Sequence, residues 1–319
     1  AAGAFKRWKV ALERPIRTVR APDPGNFASS RIQFSPDGSR LVANNGRSKL
    51  SVHGWPKADL LRTIELPMRT TIDVSLSRDG RMAVATGIIR ATGGVKSAAS
   101  LAVKGIVPTT LAGIDLDTGE KLFEEEQKSA VRSAITSQGV TRILRKEGKM
   151  LRVTEGDDDH VIWSKTFEGQ AGMEPIGAFD PQGTRLAMWV SGFLPNSPNP
   201  SLQVWDLQEN RQLFIDQNAG GNISAAFFSL DSGTLVTIHT DNVLARFGQS
   251  TAEVIGTVCV RDAQSGEIKL KVDGPQAIDA AVTSDGDLLA IQFSDRHLEV
   301  WSVAESEMLF AHDLPKVES

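Results

Sequence analysis

Residues 34–38 read Phe34-Ser35-Pro36-Asp37-Gly38, and the same grammar returns five more times along the 319-residue chain. It reappears as Leu76-Ser77-Arg78-Asp79-Gly80, as Ile135-Thr136-Ser137-Gln138-Gly139 and as Phe179-Asp180-Pro181-Gln182-Gly183. Phe228-Ser229-Leu230-Asp231-Ser232-Gly233 carries one residue more, and Val282-Thr283-Ser284-Asp285-Gly286 closes the set. Each copy is an apolar anchor followed by turn chemistry. Pro presets φ, Asp bonds its own backbone, and Gly accepts a positive φ without steric cost.

A short apolar strand follows each turn, as in Arg40-Leu41-Val42-Ala43, Thr184-Arg185-Leu186-Ala187 and Asp287-Leu288-Leu289-Ala290. A third strand ends in Val204-Trp205-Asp206 or Val300-Trp301-Ser302, with weaker versions at Gly113-Ile114-Asp115 and Val260-Arg261-Asp262. A second turn and a fourth strand come next, for example Asp117-Thr118-Gly119-Glu120-Lys121-Leu122-Phe123. Apolar and polar residues alternate along these runs with the two-residue period of a strand. No long helical pattern interrupts them. Four strands per unit and six units predict an all-β fold, a β-propeller of four-stranded antiparallel blades with six complete repeats. The whole of 1–319 reads as one propeller domain, with six blades over 21–319. Residues 5–20 (FKRWKVALERPIRTVR) look like third and fourth strands, so 1–20 reads as the outer strands of a partial or closing seventh blade. A seven-bladed ring with a degenerate closing blade and a six-bladed ring with an accessory segment both fit this pattern.

The FSPDG turn followed by VWD-type and TGE-type segments resembles the WD40-repeat family over nearly the whole chain. The turn glycines lie 42 to 59 residues apart, against about 40–45 for a WD40 blade, and the excess is loop insertion. The match is divergent. Only Trp205-Asp206 keeps the WD dipeptide, and the Gly-His pair that opens such repeats is missing. TolB- and peptidase-type propellers use similar SPDG turns and are the structural alternative. The resemblance implies a non-catalytic propeller that acts as a protein–protein interaction scaffold. The alternative is a propeller enzyme or small-ligand-binding domain that uses the central channel.

Composition narrows the function further. The formal net charge is −4, which argues against a nucleic-acid surface, where a basic footprint is expected. No run approaches the ~18 apolar residues of a membrane-spanning helix. The single cysteine, Cys259, rules out an intrachain disulfide and a cysteine-based metal site, and its strand-like flanks make it a small core residue. Opening on Ala1-Ala2-Gly3 is compatible with processing, so localisation stays open between cytoplasmic, slightly favoured, and exported. Five histidines and the absence of HExxH or GxSxG motifs give hydrolase chemistry no foothold. No cofactor and no metal are expected, and the partner is an unidentified protein.

Two features are candidates for holding that partner. The residue three before each turn's apolar anchor is Arg31, Asp73, Arg132, Ile176, Ala225 and Asp279 in turn. On the channel-lining strands this position should form a ring at one mouth, its four charges either pairing between blades or meeting a ligand. Insertions are the second feature, since loops on a rigid scaffold carry function. They fall at 88–110, at 192–200 with Phe193 and Leu194 on a proline-stiffened tip, and at 240–257. Blade three also carries a basic cluster, Arg142, Arg145, Lys146, Lys149 and Arg152, flanked by Glu124-Glu125-Glu126 and Asp157-Asp158-Asp159. It reads as a solvated, mutually compensating surface.

Overall fold

A computed structural model describes residues 32–35, 39–44, 48–54, 59–77, 79–89, 109–127, 130–137, 140–147, 149–155, 160–166, 173–192, 201–217, 219, 222–240, 255–295 and 297–313. Within them lie 24 strands in six sheets, each of four strands in sequential antiparallel order. The blades span 32–65, 68–127, 130–166, 173–216, 222–275 and 277–313. They are arranged as a six-bladed β-propeller, with no helix among the described residues.

Each blade is apolar on both faces, and the faces are buried against neighbours rather than in a common centre. Val42, Leu50 and Val52 of blade 1 share a cluster with Ala83, Ala85 and Ile114 of blade 2. Val84 and Leu111 meet Ala134 and Ile143 of blade 3. Leu144, Val153 and Trp163 meet Leu186 and Met188 of blade 4. The seams between blades 4 and 5 and between 5 and 6 are filled in the same way. Cys259, at 3 % exposure, lies in the core as its flanks predict, and burial pushes its thiol up.

In blades 2, 5 and 6 the first hairpin is folded by a Ser/Thr-x-Asp segment. Ser77 Oγ donates to Asp79 Oδ1 at 2.6 Å, Asp79 accepts the Arg81 N–H, and Ser77 Oγ accepts the Met82 N–H. Thr283 and Asp285 repeat this arrangement in blade 6, as do Ser229 and Asp231 in blade 5. Blade 5 corrects the sequence reading. The bond from Ser232 N to Ser229 O matches that from Gly80 N to Ser77 O, and Ser232 takes φ +64° where Gly80 has +68°. Ser232 therefore stands in the glycine place, and the turn holds no extra residue.

Blade 3 differs in the opposite direction. Ala134 pairs with Ile143 and faces blade 2, as the anchors of other blades face the blade before them. Ile135 faces blade 4 instead. The hairpin runs on through Ile135–Arg142 and Thr136–Thr141 to a Ser137–Val140 pair. The strands of blade 3 therefore pair for three residues beyond the anchor, where the other hairpins end at the anchor pair.

A second device repeats at the outer edge. The register slips by one residue between the third and fourth strands of every blade, leaving Leu61, Leu122, Ile162, Leu213, Lys269 and Leu309 as the extra residue of a β-bulge. Bulges bend a strand and sharpen its twist.

Substituting Ser232→Gly should raise stability by about 1–2 kcal/mol, since it relieves a left-handed Ser. It also removes a buried Oγ with no hydrogen-bond partner among the described residues; thermal denaturation measures the gain. Gly266→Ala should do the reverse, because φ is +78° there and a Cβ would sit 2.6 Å from the Phe214 ring. Acid tests the turns. The hydroxyls of Ser77 and Thr283 and the Thr118 N–H hold Asp79, Asp285 and Asp115 below the usual 3.8. Their contribution is complete above that value and lost as pH falls through the folded-state values. Melting temperature should therefore be insensitive to these groups from pH 7 to about 5 and decline below about 4.

Candidate interaction face

Sequential antiparallel strands put two kinds of connection at opposite ends of each blade. The turns between strands 1 and 2 and between 3 and 4 lie at one end. The connections between strands 2 and 3 lie at the other. In blades 1, 3 and 6 the latter are short, joining Asn44 to Lys49, Glu147 to Met150 and Phe293 to His297. In blades 2, 4 and 5 they join Ile89 to Thr109, Gly192 to Leu202 and Thr240 to Ile255. The three insertions recognised in the sequence thus leave the scaffold on one face.

The opposite, tight-turn face is occupied by contacts between blades. Arg40, Arg142 and Arg185 hold equivalent places at or near the start of the second strand, opposite Gly54, Glu155 and Asp206. Each reaches the following blade. Arg40 pairs with Asp117, Arg142 donates to the Gly183 carbonyl, and Arg185 donates to the Ser232 carbonyl at 2.6 Å and to Gln264 at 3.2 Å. Arg62 adds a bond to the Asp117 carbonyl at 3.0 Å. The sequence reading missed these arginines as a set; their signal is an Arg two or three residues after the turn glycine.

The Trp-Asp position of the third strand divides its labour. The Asp folds the second turn: Asp115, Asp206 and Asp262 each accept two backbone N–H groups from the residues that follow. The residue at the Trp place packs on the preceding blade. Trp205 meets Trp163 edge-on at 5.5 Å between ring centres and carries the Lys165 ammonium 4.2 Å from its centroid. Burial lowers the Lys165 pKa. In blade 5 the place is filled by Arg261, 3 % exposed, which pairs with Asp216 of blade 4 at 2.8 Å. Together with Phe214, Ile215, Gln217, Ser265, Gly266 and Ile268 these two line an open groove of about 480 Å³ on the propeller's edge.

Of the expected ring, Arg31 lies outside the described residues, as do Phe193 and Leu194. Asp73 pairs in register with Thr86, Ile176 with Trp189, Ala225 with Ile238 and Asp279 with Gln292, all at one level. Arg132 departs from that level. Because Ala134 is the anchor of blade 3, the residue there is Ala130, opposite Lys146, and Arg132 is the extra residue of a bulge. Asp279 is exposed, and its carboxylate accepts the Ala280 N–H at 2.9 Å. The basic cluster of blade 3 is compensated in part: Arg142 pairs with Glu155 at 3.1 Å and Arg152 with Glu147 at 2.9 Å. Arg145, however, is 6 % exposed and donates to the Thr154 hydroxyl. Asp157, Asp158 and Asp159 lie outside the described residues. No group of three metal-ligating side chains occurs among the described residues, and no helix there is long and apolar enough to cross a membrane.

The β-propeller domain of Cps50 (Swd1) from Myceliophteria thermophila superimposes with a TM-score of 0.63 at 13% identity, over 95% of this chain and 90% of that one. The fold is a six-bladed β-propeller. Hydrazine synthase of Kuenenia stuttgartiensis is also similar, with a TM-score of 0.58 and 13% identity over 85% of this chain and 76% of that one. No protein-family model and no curated protein matches the sequence. At such identity the likeness concerns the fold alone.

Replacing Asp216 with Ala strands a buried guanidinium. The loss should be about 3 kcal/mol in denaturant unfolding, and Arg261→Met in the same background should recover part of it.

Proposed function

We propose that this propeller is a non-catalytic scaffold that holds a protein partner on the face bearing its three insertions. The observation that carries the reading is the placement of those insertions. Blades 2, 4 and 5 all lengthen the same connection, on the same face, while the tight-turn face is taken up by arginine contacts between blades. Rigid sheets with long loops at one end suit recognition, because the scaffold bears the cost of ordering the loop bases before a partner arrives. Phe193 and Leu194 supply apolar anchors on a proline-stiffened loop. Asp73, Arg132 and Asp279 on the innermost strands, together with Arg31 just before the first strand in sequence, supply charges that steer and orient the partner. Arg132 joins them from a bulge, a feature over-represented where a side chain is re-aimed.

Affinity capture from the native source tests this reading with three variants. One replaces 193–200 and 241–254 by short Gly-Ser connections, one carries Arg31→Glu with Arg132→Glu, and one carries Arg211→Glu on the tight-turn face. A specific partner held by wild type and by the Arg211→Glu variant, and lost at least tenfold by the other two at unchanged melting temperature, is the expected result. Retention by all three variants, or no partner together with turnover of a small substrate, would overturn it.

A further inference from the structure

The seam between blade 6 and blade 1 is unlike the other five. The face that each of blades 1 to 5 turns to the next blade is sealed. Val42 and Val52, Val84 and Leu111, Leu144 and Val153, Ala187 and Val204, and Val236 and Val260 are all at 3 % exposure or less. The matching positions of blade 6 are Ala290, Gln292, Leu298, Val300 and Phe310, paired as in blade 5. All five are half-buried, and Asp279 and Ala281 beside them are exposed. Blade 1, across the seam, behaves differently. Its facing residues Leu41, Ala43, Ser51 and His53 are only 1–6 % exposed. Blade 1 is covered where blade 6 is not, so a flush blade-to-blade contact does not account for both.

The sequence holds a candidate for the cover. Ile16-Arg17-Thr18-Val19-Arg20-Ala21-Pro22 repeats Leu61-Arg62-Thr63-Ile64-Glu65-Leu66-Pro67 without a gap, 45 residues apart, which is one blade length. The latter stretch is the outer strand of blade 1 and the link that leaves it. Its Ile64 and Leu66 enter the seam with blade 2 beside Ala83 and Ala85, and Arg62 reaches the turn of blade 2. The same offset aligns Trp8 with His53, the Trp place of the third strand, and Phe5 with Leu50. Residues at the Trp place pack backward, as Trp205 does on Trp163.

From this repeat and the asymmetric seam we infer that residues 5–22 form the outer two strands of an incomplete blade seated between blades 6 and 1. By the register of blade 1, Val19 and Ala21 cover Leu41 and Ala43, as Ile64 and Leu66 cover Ala83 and Ala85. Trp8 turns to the apolar face of blade 6 around Ala290 and Val300. The docking surface is thus intramolecular, and its occupant is the amino-terminal part of the same chain.

Cysteine pairs in the full chain test this, since the one native thiol is buried. Val19→Cys with Ala43→Cys, and Trp8→Cys with Ala290→Cys, should cross-link in most molecules with a short bismaleimide, the linked peptides being identified by mass spectrometry. Val19→Cys with Val236→Cys, in the seam between blades 5 and 6, should not. Removal of residues 1–22 should increase binding of an apolar dye several-fold and lower the melting temperature while the β circular dichroism persists. Absence of the Val19–Ala43 link in a normally folded chain, or equal linking to position 236, overturns the inference. It is overturned equally if the link forms only between two molecules, as size exclusion of the product would reveal.

Discussion

A four-stranded sheet with two apolar faces cannot exist alone in water, and everything in this protein follows from having to cover both. Burial on each side removes from solvent Val, Leu and Ile side chains worth about 1.5–3 kcal/mol apiece. The cost is that no blade holds its own core. Five described seams are filled by apolar clusters drawn from two blades each, so stability is a property of adjacent pairs. Polar groups then fix which pair is in contact. An arginine at the start of one blade's second strand bonds the turn of the next, and Arg261 meets Asp216 across a seam where a tryptophan stands elsewhere. These contacts set the angle and height of one blade against another, which apolar packing alone leaves free.

The division between faces comes from the same arithmetic of strands. Up-and-down order confines the tight turns to one end, where Ser/Thr-x-Asp hydroxyls and carboxylates satisfy the backbone locally, and leaves the other end to connections whose length is unconstrained by pairing. Insertions can accumulate there without disturbing a seam. A recognition surface on this scaffold is thereby separated from the contacts that hold the scaffold together, and each can change without the other.

Much of the fold was legible because turn chemistry is local. The turn glycine located the first hairpins, and the Asp of the third strand located the second turn in blades 2, 4 and 5. The misreadings arose where one residue type stands in for another or where strand pairing runs on. Ser232 adopts a left-handed φ that only the fold enforces, so the neighbouring Gly233 looked like the turn residue. The strands of blade 3 pair on past Ala134, so Ile135 looked like the anchor; that slip and the bulge at Arg132 together put the level residue at Ala130, two positions earlier. Charges on the innermost strands were visible as residues but not as a level, because bulges change the level without changing the composition. Arg40, Arg142 and Arg185 were hidden for another reason: their partners are backbone carbonyls and turn residues 41 to 79 positions away.

The bulge that recurs in the outer strand of each described blade bears on how the rim meets another chain. Among the described residues the rim is formed by the outermost strand of each blade, and exposed Leu60, Leu61, Leu122, Met308 and Leu309 lie along it. A straight edge of that composition would template the addition of another chain. Breaking the register once per blade, just past the third strand's Trp-Asp position, bends each edge so that an incoming strand would lose its hydrogen-bond phase within a few residues. The propeller can therefore carry apolar side chains around its rim while remaining a poor seed for sheet growth.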